Sequence, residues 1–152
     1  MKGKIKKFLE DNNFLPLNGW KSFEIVYKVP KDIQEERDCL RYIRGNVLDR
    51  SELYVFEKKK KIIYVGKGNP LFNRIKDHYN LSYRELSGDD KYKTYHRFSS
   101  SHLGSRLKVY WREQEDEKIR QIIEKMLDYV LEPEFNSFRE NIRKQIKESN
   151  SE

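Results

Sequence analysis

Two apolar runs, ELYVFE at 52–57 and KIIYVG at 61–66, are joined by four consecutive lysines, Lys58 to Lys61, and nothing else in the chain restricts its fold so strongly. Short runs rich in Val, Ile, Tyr and Phe, closed by a polar turn, predict the two strands of a β-hairpin. The turn lacks the Asn-Gly pair that favours such hairpins, and its lysines discourage edge-to-edge pairing. Beyond the second run the chain crosses a glycine turn into a segment dense in charge. Tyr64, Lys67, Arg74 and His78 fall within fifteen positions there.

The remaining elements are read around that hairpin. FEIVYKV at 23–29 alternates Phe23, Ile25 and Tyr27 with polar or smaller residues and reads as a strand that Pro30 ends. RLKVYW at 106–111 has β-character and supplies a third core strand. Residues 2–10 suit a short amphipathic helix, and a second begins at Asp32 as N-cap, with Gly45 as its stop. Asn69 and Pro70 fit the N-cap and first position of a helix carrying Leu71, Arg74, Ile75 and His78. From Asp116 onward Ile119, Ile122, Ile123, Met126, Leu127 and Val130 recur with helical spacing until Pro133. SFRE at 137–140 has capping-box spacing and opens a last charged helix, while 80–105 reads as polar and irregular.

The expected fold is therefore α/β (α+β): a small three-stranded antiparallel sheet flanked by helices. Residues 1–50 form an N-terminal extension, 51–137 the core, and 138–152 a charged helix and tail.

A chain of 152 residues is most simply one domain. It lacks an apolar run of about 18 residues, so no membrane partner is expected. Its basic start, MKGKIKKFLEDNN, has no apolar segment after it, and a cytoplasmic setting is expected. A single cysteine, Cys39, excludes an internal disulfide framework and a cysteine-based zinc site. Charge is uneven. Residues 51–112 carry 14 Lys and Arg against 6 Asp and Glu, net +8, whereas 113–152 carry 7 against 11, net −4. A basic segment interleaved with tyrosine and phenylalanine suits a phosphate backbone, and it suits a solvated lysine-rich surface equally well.

Arg74 and His78 are four apart on a predicted helix and share one face. Tyr64 closes the preceding strand and Lys67 lies in the turn, so a phenol, an ammonium, a guanidinium and an imidazole can gather at one point. That set can hold a phosphate and move protons. His96 and His102 lie six apart in a predicted loop, with no third metal ligand beside them.

Order and spacing here resemble the GIY-YIG nuclease family. LYVF is followed ten residues later by YVG, which aligns Tyr54 and Tyr64 with the two motif tyrosines. Arg74 lies ten residues past Tyr64, and His78 four beyond that. Glu124 stands nine residues before Pro133 and twelve before Asn136, matching the family's later helix. The likeness spans roughly 52–136. Glu52 and Leu53 replace the glycine and isoleucine of the first triplet.

The resemblance implies an endonuclease acting on DNA, most simply duplex, with Mg²⁺ (or Mn²⁺) held by Glu124; restriction, phage and repair roles stay open, and the short chain without a long linker favours a restriction- or phage-type enzyme. It implies Tyr54 as the base, with Tyr64 and His78 orienting water or relaying the proton. The residues alone leave the base open among these three, because a phenol near pKa 10 needs adjacent positive charge. Lys67 and Arg74 supply such charge. Arg74 would fork onto phosphate oxygens, and Lys67 and Asn136 are further candidate phosphate contacts. Monomer and homodimer both remain open. Two other readings are a catalytically silent nucleic-acid-binding module and a protein-interaction or inhibitor domain.

Overall fold

The computed structural model describes residues 1–47, 50–84 and 94–150, with the backbone alone at Tyr95, His96, Ser149 and Asn150. Among these residues the order is α1 (Lys2–Asp11), a 3₁₀ turn (Leu17–Gly19), β1 (Lys21–Val26), α2 (Ile33–Asn46), β2 (Glu52–Lys58), β3 (Lys61–Gly68), α3 (Leu71–Tyr83), α4 (Thr94–Ser101), β4 (Arg106–Glu113), α5 (Glu117–Leu131) and α6 (Glu134–Asn150). No helix of the described residues is long and apolar enough to cross a membrane.

The class is mixed α and β, as expected, but the three-stranded sheet needs correction. The sheet has four strands in the order β1-β4-β2-β3, and every pairing is antiparallel. The added strand is the one read inside the N-terminal extension. It pairs with β4 from Lys21↔Trp111 to Val26↔Arg106. Without it β4 would present a row of unpaired backbone groups, and Phe23 and Ile25, opposite Val109 and Leu107, would lose their apolar neighbours.

Both sheet faces are covered, which explains why β2 reads as a continuous apolar run rather than an alternating one. Tyr54 and Phe56 point into a core shared with Ile43 of α2, Leu71, Ile75 and Tyr79 of α3, and Phe98 of α4. Leu53 and Val55 point to the opposite core, built with Leu9 of α1 and Ile123 and Leu127 of α5. Between Phe56 and Glu57 the β2–β3 register shifts. This bulge turns both Ile63 and Tyr64 toward the first core.

The hairpin loop is the dipeptide Lys59-Lys60, at φ 49° and 66°. Positive φ at both positions is the pattern of a type I′ turn. It costs a residue bearing a Cβ about 1–2 kcal/mol.

The predicted cap at Asp32 forms, accepting from the Glu35 N–H at 2.8 Å, and Asp116 caps α5 in the same way, accepting from the Ile119 N–H at 3.0 Å. Other expectations shift. Pro70, in extended backbone, occupies the cap of α3 instead of Asn69. α6 starts at Glu134, ahead of SFRE, because Glu132 ends α5 in the left-handed conformation and Pro133 allows an immediate restart. α4 forms inside the segment read as irregular. On α5, Ile119 and Ile122 face solvent, and the buried stripe is Ile123 and Leu127.

Candidate active site

The site begins with a glycine that has no alternative. A Cβ on Gly66 would lie 2.5 Å from Cζ of Tyr54 and 2.6 Å from its hydroxyl oxygen. The ring therefore lies flat across the backbone of its paired residue, and glycine alone leaves room for it. At Gly68 a Cβ would stand 2.8 Å from Cα of Leu71 and 3.0 Å from Cγ of Arg74. Its absence lets β3 run straight into α3 with Arg74 folded back over the strand end.

Four of the expected residues meet on this floor. The Tyr54 and Tyr64 rings stack at 5.8 Å between centroids, 20° apart. The Tyr54 hydroxyl is 2.9 Å from Nε2 of His78, and the other imidazole nitrogen, Nδ1, is 3.2 Å from Oγ of Ser99 on α4. His78 packs edge-on against Tyr64 at 4.8 Å and Phe56 at 5.1 Å. The Arg74 guanidinium lies close enough to both phenols to favour their ionised forms.

Burial sets the electrostatics. Tyr54 and His78 are 0% and 1% exposed, and Tyr64 is 9% exposed. Desolvation pushes the Tyr54 phenol well above its ordinary value, and the neighbouring Tyr64 adds to the rise while Arg74 opposes it. Tyr64 is also raised by burial, but Arg74 and a hydrogen bond from Tyr54 pull it back. Both phenols rest protonated at neutral pH, and Tyr64 is the easier of the two to ionise.

Glu124 reaches this group from α5. Burial raises its carboxyl pKa; Lys67 and Lys125 oppose the rise, Asp128 adds to it, and Arg74 opposes it. Its Oε2 is buried without a hydrogen-bond partner. Lys67 is thus close enough to Glu124 to favour its ionised form. Asn136 donates from Nδ2 to Oδ2 of Asp128 at 3.1 Å, one turn beyond Glu124 on α5.

An orphaned carboxylate oxygen fits a hard cation that keeps most of its waters and takes few protein ligands. No cluster of three or more His, Cys, Asp or Glu side chains exists among the described residues, so Glu124 would be the principal protein ligand. The His96 side chain lies outside the described residues. His102 is occupied by Lys58, which donates to Nδ1 at 3.3 Å, and faces Glu134 at 3.7 Å.

Ser99 was missed by the sequence reading. The run FSSS at 98–101 carries no periodic signal, and only the packing of Phe98 beside it, 6.1 Å from the Tyr64 ring and 5.2 Å from Phe135, fixes its place.

No family model, curated protein or solved structure matches this chain.

Proposed function

We propose that the protein is a metal-dependent endonuclease of the GIY-YIG type that hydrolyses phosphodiester bonds in duplex DNA, in a restriction- or phage-type setting. The observation that carries this reading is the convergence of Tyr54, Tyr64, Arg74, His78 and Glu124 from β2, β3, α3 and α5.

In this reading Arg74 takes the non-bridging oxygens of the scissile phosphate, where charge grows in the transition state. Lys67 adds positive charge beside it. Glu124 holds Mg²⁺ or Mn²⁺; when bound, the ion polarises the phosphate and stabilises the departing oxygen.

Water activation falls to Tyr64, which is nearer solvent than Tyr54 and more easily ionised. Its resting proton has a way out. The phenol contacts Tyr54, whose hydroxyl meets Nε2 of His78, and the imidazole is steadied at Nδ1 by Ser99. This relay needs the tautomer with its proton on Nδ1. The Tyr64 phenolate then takes a proton from the attacking water. A new O–P bond forms as the P–O3′ bond breaks, solvent protonates the leaving oxygen, and the His78 imidazolium gives its proton back to solvent, which restores the starting state.

Supercoiled plasmid incubated with Mg²⁺ should be nicked and linearised by the parent, and Glu124→Gln should abolish cutting while duplex binding persists. Cutting by Glu124→Gln at the parental rate would sink the reading. A parent that binds duplex and never cuts it would favour the silent binding module instead.

A further inference from the structure

The hairpin loop raises a separate question, because its two residues are lysines in a turn that suits Asn-Gly. Lys58 and Lys61 at its base are engaged. Lys58 bonds His102, and Lys61 lies 3.8 Å from Glu134, whose other oxygen faces the same imidazole. These contacts anchor the loop to α6 and to the end of α4. Lys59 and Lys60 project from it and are exposed.

Behind the loop a groove of about 530 Å³ opens between the hairpin and the far end of the β1–β4 pair. Its cations are Lys58, Lys59, Lys60, Arg106 and Lys108. Of its two carboxylates, Glu24 pairs with Arg106 at 2.9 Å, and Glu57, which accepts from the Tyr110 hydroxyl at 3.4 Å, stands against the four lysines, so the groove keeps a positive excess. The chain thus tolerates an unfavourable turn and places on it two lysines that pair with no carboxylate among the described residues. Strain of this kind persists where surrounding contacts hold it and function uses it.

We propose that this lysine loop and groove are a second phosphate-binding surface, which grips the DNA backbone away from the cut. The inference rests on the duplex-DNA reading above and adds the path of the substrate. Along β3, Lys60 stands four residues from Tyr64 and seven from Lys67. At about 3.4 Å per residue that is roughly 14 to 24 Å. Duplex DNA rises about 3.4 Å per base pair, so the loop meets phosphates roughly four to seven base pairs to one side of the scissile bond. The grip is one-sided, because the other end of β3 runs into α3.

The test sets turn preference against charge. Lys59→Asn combined with Lys60→Gly installs the favoured turn and removes two cations. Binding to a labelled random-sequence duplex is read by anisotropy in EDTA, across about 50 to 200 mM salt. The variant should melt several degrees higher than the parent, since the turn strain is relieved. Yet it should bind more weakly, and the slope of log K against log salt should fall by about two. A charge-matched control on α1, Lys4→Gln with Lys7→Gln, should leave the slope at the parental value. Equal slopes for the loop variant and the parent, or equal losses for loop and control, would overturn the proposal while leaving the nuclease reading intact. A parent that binds no duplex at any salt would overturn both.

Discussion

A phenol that takes a proton from water must meet that water, and here the two motif tyrosines differ. Tyr54 is fully buried and committed to His78, while Tyr64 keeps some contact with solvent. Tyr64→Phe should therefore cost the larger factor in single-turnover cleavage, on the order of 10² or more. Tyr54→Phe should cost roughly ten-fold less, because it breaks the relay and spares the base. A larger loss for Tyr54→Phe would return the base to the residue that the family likeness implies. Glu124 carries a consequence for stability as well. Its folded pKa is raised above the ordinary 4.5, chiefly by burial, so the fold binds its proton more tightly than the unfolded chain does. The penalty is absent below the unfolded pKa and complete above the folded one. Glu124→Gln should thus raise Tm at neutral pH and leave it unchanged near pH 3, as differential scanning calorimetry would read. A lower Tm at neutral pH would mean that Glu124 serves the fold rather than the site. Motif spacing made these side chains legible, since Tyr, Arg, His and Glu stand at fixed offsets. Ser99 was not legible, because its role exists only once α4 has docked.

At the scale of elements, the strands were legible because β-branched and aromatic residues crowd into runs bounded by Pro, Gly and lysine turns. What a single run cannot announce is its partner. FEIVYKV read correctly as a strand, yet its neighbour β4 lies far along the chain. α4 escaped for a different reason. Among the described side chains of TYHRFSSS, Phe98 is the one buried apolar group, and it makes aromatic contacts with Tyr64, Phe135 and Phe138. The junction of β2 and β3 is more demanding. Gly66→Ala must push the Tyr54 ring off the strand in a core without slack, at a cost of about 1–3 kcal/mol. It should lower Tm by several degrees and reduce cleavage at least as much as Tyr54→Phe, because the displaced hydroxyl loses His78. Cleavage at the parental rate would show that the Tyr54–His78 contact is dispensable.

Across the whole molecule, residues 1–50 supply nine buried apolar side chains, Leu9, Phe14, Leu15, Trp20, Phe23, Ile25, Tyr27, Ile43 and Val47, divided between both cores. At about 1.5–3 kcal/mol each they outweigh the ~5–15 kcal/mol by which a typical domain is stable. The fragment 51–152 should accordingly show no cooperative melting transition by circular dichroism. A sharp transition near the parental Tm would show that residues 51–152 stand alone.

The sheet order also sets a timetable for synthesis. Of the described strands β1 leaves the ribosome first, but its partner among them, β4, begins at Arg106, about 80 residues behind Val26. At roughly 5–20 residues per second that delay is on the order of 4 to 16 seconds. The β2–β3 hairpin needs only microseconds once made. The earliest strand is thus the last to close. Throughout that interval the apolar side of Phe23 and Ile25 stays open to chaperones or to another nascent chain, so translation speed between β1 and β4 becomes a determinant of yield.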